Sequence, residues 1–348
     1  MSQVIRTLVV DDSALVRRIL AEGLSADPEI AVVGKAADPY QARDLIVKLR
    51  PDVLTLDVEM PKMDGLEFLK KLMPQYPIPV IMVSALTKKG TQITLDALEA
   101  GAVDFVTKPA LNVANGLELL MQNLRQKVKM AARVDVSHWK KRQFQKRALR
   151  RGQAPPLPES TDKVIAIGAS TGGTEALKAV VSEFPANMPG VVIVQHMPPG
   201  FTKMFSERLN ALSAMDVKEA ESGDRIMTGK VLVAPGGKHM SVVRSGGVYR
   251  VQCHDGELVC GQKPSVDVLF HSVAKYVGPN AIGVMLTGMG HDGADGMVAM
   301  RKAGARTLAQ DEATSVVFGM PKEAYNRGGA EKLVPLEKIP RAVLQLLS

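Results

Sequence analysis

Cysteine is nearly absent from this 348-residue chain, which has two, Cys253 and Cys260. So few cannot make a disulfide-stapled secreted scaffold. The pair flanks Asp255-Gly256, a hairpin-turn signal, and would not face each other across a two-residue turn, so no bridge is expected. Neither shows paired ligand spacing with His254 or His271, which argues against a zinc site and leaves both as small buried hydrophobes. Aromatics are also scarce, at 4% against 46% hydrophobic residues overall, so the expected core is aliphatic and contains methionine. No long apolar run opens the chain. The stretch after Met1 is short and broken by Asp11 and Asp12, unlike a signal peptide or membrane span. That points to a cytoplasmic protein without direct membrane insertion. The glycine-rich stretch Gly168-Ala169-Ser170-Thr171-Gly172-Gly173 lacks the full dinucleotide spacing and the Gly-Lys-Ser/Thr ending of a phosphate-binding loop.

What the chain does have is length for about two domains and a net charge of +8. Much of the excess lies between Arg125 and Arg151, including Lys140-Lys141-Arg142 and Arg150-Arg151. The alternation of helices and strands stops in the same region, and Ala154-Pro155-Pro156-Leu157-Pro158 reads as an extended, semi-rigid connector. The expected organisation is a first domain over 1–130, a basic linker over 131–161 and a second domain over 162–348. The basic run reads first as a solvated tether, with an acidic partner or nucleic acid as the alternatives. Trp139 and Phe144 are candidates to anchor it on a neighbouring domain or a partner helix, but no base-stacking pattern accompanies them.

In the first half, strands expected at 6–10, 30–34, 52–57, 80–84 and 103–107 alternate with helices, the pattern of a parallel sheet covered on both faces. Ser13 caps the first helix, with Leu15, Val16, Ile19 and Leu20 on its inner face. Strand ends in such a sheet converge on one edge. Asp11 and Asp12 end the first strand, Asp57 the third, Ser84 the fourth and Lys108 the fifth. Clustered carboxylates raise one another's pKa unless a cation binds, and an oxygen-only set suits Mg²⁺. Asp57 is then placed to attack a phosphoryl group, with metal and Lys108 neutralising its oxygens. Any one of these acids alone reads as a helix cap; the five positions together do not.

Here the sequence resembles a response-regulator receiver domain, from about Val4 to Met130 and including the loop Met60-Pro61-Lys62-Met63-Asp64-Gly65. The resemblance implies a flavodoxin-like, five-stranded parallel sheet. It also implies Asp57 as phosphoacceptor, Asp11 and Asp12 as Mg²⁺ ligands, Ser84 as switch hydroxyl, Phe105 as switch aromatic and Lys108 as phosphoryl contact.

The second half reads as a doubly wound, mostly parallel α/β domain with a small antiparallel insertion around 241–256. Its first strand runs into Gly168-Ala169-Ser170-Thr171-Gly172-Gly173, which exposes a serine at a sheet edge where open α/β folds bind ligands. A second strand ends in Gln195-His196-Met197-Pro198, and a third in Thr287-Gly288-Met289-Gly290-His291-Asp292-Gly293. A serine needs an imidazole to take its proton, and the imidazole needs a carboxylate to fix its tautomer. Ser170, His196 and Asp292 follow three different strands at one edge. The glycine-rich turn around Met289 can aim backbone N–H groups at a developing oxyanion. His196 alone reads more often as structural, Asp292 as the cap of the helix starting at Gly293. His239, His254, His271 and His291 are rival bases; His291 is discounted because it adjoins Asp292, the others because none ends a parallel strand.

These motifs resemble the chemotaxis protein-glutamate methylesterase family, CheB, over nearly the whole chain. The resemblance implies Ser170 as nucleophile, His196 as base, Asp292 as orienter, the Met289 N–H as oxyanion donor and Thr171 as support. It implies a monomeric enzyme that demethylates glutamate esters on methyl-accepting chemoreceptors, deamidates receptor glutamines, needs no cofactor for hydrolysis and is activated by a chemotaxis histidine kinase. The unphosphorylated receiver is expected to block the Ser170 edge. The rivals are a receiver-controlled DNA-binding regulator using the basic tether and a non-enzymatic receptor-binding scaffold. Against the first, no helix-turn-helix pattern appears.

Overall fold

A computed structural model describes residues 4–85, 87–108, 114–137, 139 and 162–347. The chain forms two compact units, Met1–Leu149 and Arg150–Ser348. Most of the basic and proline-containing linker, Phe144 included, lies outside the described residues.

In the first unit five strands, β1 (Ile5–Val10), β2 (Ile30–Ala36), β3 (Val53–Asp57), β4 (Val80–Ser84) and β5 (Asp104–Thr107), form a parallel sheet in the order β2-β1-β3-β4-β5. The order reverses between β1 and β3, so Asp11 and Asp57 leave adjacent strands at the switch point. Ser13 caps α1 (Ala14–Ser25) by accepting from the Val16 N–H. The stripe that α1 buries is Leu20, Ala21 and Leu24. Leu15, expected on the inner face, is 61% exposed, because the hydrophobic pattern is broad and the helix meets the sheet one turn further on. Helix α5 (Ala114–Ala131), not among the helices expected from the sequence, is the longest in the chain's described residues and buries Leu120, Met121, Leu124 and Val128. Beyond it Trp139 returns to this unit. Its ring sits on Gly101, where a Cβ would lie 2.7 Å away, so the anchor expected of the tether is made on the first unit.

The second unit carries seven strands, all pairing in parallel, in the order β14-β13-β12-β6-β7-β9-β8. The central three, β6 (Val164–Ala169), β7 (Gly190–Gln195) and β12 (Ala281–Met285), are buried along their whole length, as expected of strands covered by helices on both faces. Beside β7 lie β9 (Lys230–Val233) and the edge strand β8 (Asp216–Glu219); beside β12 lie β13 (Arg306–Gln310) and the edge strand β14 (Lys332–Val334). The edges β8 and β14 are short and half exposed, too weakly patterned to read as strands from sequence.

The antiparallel insertion is the pair β10 (His239–Ser245) and β11 (Val248–His254). Its turn is Gly246-Gly247, both with positive φ, and not Asp255-Gly256. Two successive left-handed residues match the twist of a two-residue hairpin, and glycine adopts them freely. Asp255-Gly256 lies beyond β11, in a loop whose own tight turn is Cys260-Gly261. That corrects the reading of the cysteines: Cys260 is exposed at a positive-φ turn position, and Cys253 is only half buried.

Helix α8 (Val266–Tyr276) packs between this hairpin and the sheet, burying Val266, Leu269, Phe270 and Val273 at helical spacing. Ser265 caps it, accepting from the Val268 N–H. Its first residue enters against β6 because Gly168 has no side chain; a Cβ there would meet Val266 Cγ1 at 2.4 Å. Gly168→Ala is expected to destabilise the unit by about 1–3 kcal/mol through overpacking. Val266→Ala should recover part of that loss in the double variant, as residues in contact couple. Denaturant unfolding of the four proteins in that cycle checks it; additive effects would contradict the packing.

Candidate active site

The first cluster sits at the carboxyl edge of the five-stranded sheet. Asp11, Asp12 and Asp57 bring one carboxylate oxygen each within 4.8 Å of the others, with Asp11 and Asp57 buried and Asp12 exposed. Lys108 Nζ reaches Asp11 Oδ2 at 2.8 Å and Asp57 Oδ2 at 2.9 Å. One ammonium between two buried acids leaves negative charge in excess. Burial first, and then the Asp11 charge, push Asp57 up to about 6 despite Lys108. Burial works against the Lys108 ammonium too, but its bonds to Asp11 and Asp57 outweigh it and raise that pKa. A hard, oxygen-only donor set with surplus charge is the kind that holds a divalent cation.

Ser84 and Phe105, the two switch candidates, lie on neighbouring strands. Ser84 is fully buried and accepts a hydrogen bond from Thr94 Oγ1 at 2.8 Å, tying β4 to α4 (Lys88–Glu99). The Phe105 ring is buried beneath Lys127, whose Nζ stands 5.5 Å from its centroid and donates to the Phe105 carbonyl at 2.7 Å.

The second cluster sits where the strand order of the larger sheet reverses, between β6 and β12. Ser170 follows β6 and His196 follows β7. The last pair in that ladder is Ala169 with Gln195, and the His196 N–H donates to the Ala169 carbonyl at 3.1 Å, so Ser170 and His196 are the next residues across. The Ser170 N–H donates to the Thr287 carbonyl at 3.0 Å, fastening the serine turn to the loop after β12. Gly288 makes that approach feasible, since a Cβ on it would lie 2.8 Å from Ser170 Cβ.

Asp292 completes the group. Its Oδ2 bonds His196 Nε2 at 2.8 Å, with both side chains nearly inaccessible. It does not cap the helix that starts after Gly293, α9 (Ala294–Lys302), which has no side-chain cap. It sits at the start of α8 instead, accepting from Ser265 Oγ at 2.7 Å, Val266 N at 2.7 Å and Asp267 N at 3.1 Å. Burial alone would raise its pKa; the bond to His196, the His196 charge, the Ser265 hydroxyl and the Val266 N–H together hold it below the usual carboxylate range. Of the rival bases, His239 is buried and bonded through both ring nitrogens, to Glu257 O and Ser265 N, and His291 is exposed.

His196 Nδ1 is buried without a hydrogen-bond partner among the described residues, so the serine hydroxyl is not bonded to it in this structure. Two of the three expected members are joined, and the third stands at the neighbouring strand end. Met289 is half buried in a loop clamped on both sides: the Gly288 N–H donates to Val317 O at 3.1 Å, and Gly288 O accepts from Met320 N at 2.8 Å. Thr171 is buried, and its carbonyl accepts from Thr287 Oγ1 at 3.0 Å.

Sequence reasoning missed several supporting groups. Thr287 N donates to Gln310 Oε1 at 2.8 Å, and Gln195 Nε2 to the Ser170 carbonyl at 2.9 Å, both from buried residues. A polar residue inside an otherwise apolar strand end was the available signal. Cys260 Sγ donates to Asp267 Oδ2 at 3.7 Å, close behind Asp292. Burial and the two acids push that thiol up to about 11, and burial likewise raises Asp267 against the bond from the Gly296 N–H.

Known proteins share this arrangement. Residues 165–343 match the CheB methylesterase family, and residues 7–115 the response regulator receiver domain. A protein-glutamate methylesterase/protein-glutamine glutaminase of Syntrophotalea carbinolica is 65% identical over 100% of this chain and 99% of its own. One of the same name from Salmonella typhimurium is 54% identical over 99% of this chain and 97% of its own. Among solved structures, the Thermotoga maritima CheB methylesterase catalytic domain is 37% identical, covers 54% of this chain and 100% of its own, and superposes with a TM-score of 0.53. Neither the DNA-binding nor the scaffold alternative is favoured by these likenesses. With both matches in place along its length, the chain belongs to the CheB methylesterase family and carries a response regulator receiver domain ahead of the methylesterase domain.

Proposed function

We propose that this chain hydrolyses glutamate γ-methyl esters on chemoreceptors, releasing methanol, and deamidates receptor glutamines by the same acyl transfer. The observation that carries the reading is the buried His196–Asp292 bond beside Ser170 at the switch point of the sheet. Because the carboxylate only accepts, His196 Nε2 carries the proton in that bond, which leaves Nδ1 to act as base. A rotation of the Ser170 side chain joins hydroxyl to Nδ1, a bond that commonly tightens only when substrate arrives.

Ser170 Oγ then attacks the ester carbonyl as Nδ1 takes its proton. The Met289 N–H stabilises the oxyanion, and Thr171 keeps the turn in place through its bond from Thr287. The imidazolium returns the proton to the departing methoxide. Water, deprotonated by the same nitrogen, releases the glutamate side chain and regenerates the serine. With an amide in place of the ester, ammonia leaves instead.

In the receiver, Asp57 accepts a phosphoryl group from a histidine kinase. Asp11, Asp12 and Asp57 would hold Mg²⁺, which would supply positive charge for the phosphoryl oxygens. Lys108 adds its own charge from 2.9 Å. Ser84 and Phe105 sense the change at this edge, and the esterase is released from inhibition by the receiver. Within the described residues no helix is long and apolar enough to cross a membrane.

Methanol release from methylated receptor membranes tests the reading. Ser170→Ala should lower the rate by about 10³-fold or more, and Asp57→Asn should abolish stimulation by an acyl phosphate donor. Full activity in Ser170→Ala would end the hydrolase account. The metal reading has a separate check. Trp139 is the only tryptophan and rests on the receiver, so its fluorescence reports that unit's unfolding. Mg²⁺ should raise the melting temperature of wild type, and Asp57→Asn should raise it in chelator by removing a charge from the crowded cluster. No response to Mg²⁺ in wild type would contradict the cation site.

A further inference from the structure

Asp292 is anionic in a place that water does not reach, and apart from His196 the groups that make this possible are neutral. Each of its oxygens receives two bonds: Oδ1 from Ser265 Oγ and Asp267 N, Oδ2 from Val266 N and His196 Nε2. Among the described residues its one ion-pair partner is His196, and the other titratable groups beside it are the Cys260 thiol and the Asp267 carboxyl. A guanidinium in place of these donors would neutralise the carboxylate and weaken its hold on the imidazolium. Neutral donors at a helix N-terminus stabilise the negative charge and leave it available.

Of those donors only Ser265 contributes a side chain. It is fully buried, and its own position is fixed from the other side: its N–H donates to His239 Nδ1 at 3.2 Å, while His239 Nε2 donates to the Glu257 carbonyl at 2.8 Å. The Ser265 hydroxyl hydrogen is the one it has, and the carboxylate takes it at 2.7 Å. A carboxylate is a two-fold rotor about its last torsion. Pinning Oδ1 to the hydroxyl and the Asp267 N–H sets the plane in which Oδ2 meets His196.

We propose that Ser265 is a positioning residue of the esterase, the fourth member of a Ser170–His196–Asp292–Ser265 relay, holding the Asp292 carboxylate ionised and correctly turned while His196 becomes a cation. The inference rests on the hydrolase reading above and goes beyond it, since Ser265 touches no reacting atom. It differs from a mere helix cap in that the hydroxyl's donor side serves Asp292, while only its acceptor side serves α8, through Val268 N at 3.4 Å.

The experiment compares full-length wild type, Ser265→Ala and Ser265→Gly in steady-state methyl ester hydrolysis on receptor membranes. Glycine retains most of a serine's capping value, so Ser265→Gly removes the hydroxyl with little cost to α8. Both variants should lower kcat about ten- to a hundred-fold, the usual effect of deleting a hydrogen bond to a charged group. KM should stay unchanged, and the acid limb of the kcat–pH profile should move to higher pH because the carboxylate has lost a donor. Wild-type kcat in Ser265→Gly, or a lowered kcat with an unmoved acid limb, would overturn the proposal. Ser170→Ala, run alongside, separates the two levels: if it stays active, the hydrolase reading fails; if it is dead while Ser265→Gly matches wild type, only the Ser265 proposal fails.

Discussion

The bond between His196 and Asp292 depends on a helix that neither residue belongs to. A buried carboxylate without compensating hydrogen bonds is costly, and Asp292 is almost wholly inaccessible. The start of α8 provides the compensation through two backbone N–H groups and the Ser265 hydroxyl. That helix can sit there because Gly168 leaves room for Val266 against β6. The strand that delivers Ser170 therefore also sets where the partner of His196 is held. Parallel pairing of β12, β6 and β7 does the rest, bringing three loops from distant parts of the chain to one edge.

The two units treat buried acids in opposite ways. In the receiver, two carboxylates share one ammonium, and Asp57 is pushed up to about 6 by burial and by Asp11. That is a site short of positive charge, suited to a cation and a phosphoryl group. In the esterase, Asp292 is held by His196 and by neutral donors, and its pKa is lowered although burial opposes it. That is a site with its charge already satisfied, suited to orienting an imidazole through many turnovers. The same residue type becomes a proposed nucleophile in one place and a fixed counter-charge in the other because of what surrounds it.

Much of this is legible in the sequence because it follows from strand ends. Asp11, Asp57, Ser84, Lys108, Ser170 and His196 each stand one step beyond or at the close of an apolar run, and parallel topology carries the first four to one edge of the first sheet and the last two to one edge of the second. Contacts made between elements are not legible in that way. Asp292 looks like a cap for the helix after it, and only the fold reveals that it serves α8, whose first residues lie about 26 positions earlier. Serine is a common helix cap, as Ser265 is for α8, but its bond to Asp292 has no local signature. Asp255-Gly256 and Gly246-Gly247 are both good turn sequences, and only the pairing of Met240 with Cys253 decides between them. The edges β8 and β14 escaped notice because short, half-exposed strands carry little alternation.

The account's central claim is that His196, oriented by Asp292, activates Ser170. Treatment of the full chain with a serine-directed fluorophosphonate, followed by peptide mass spectrometry, tests it without any receptor. The expected result is a single adduct on Ser170 in wild type, formed far more slowly in His196→Gln and in Asp292→Asn. Equal labelling of Ser170 in all three proteins, or an adduct on another serine, would contradict it.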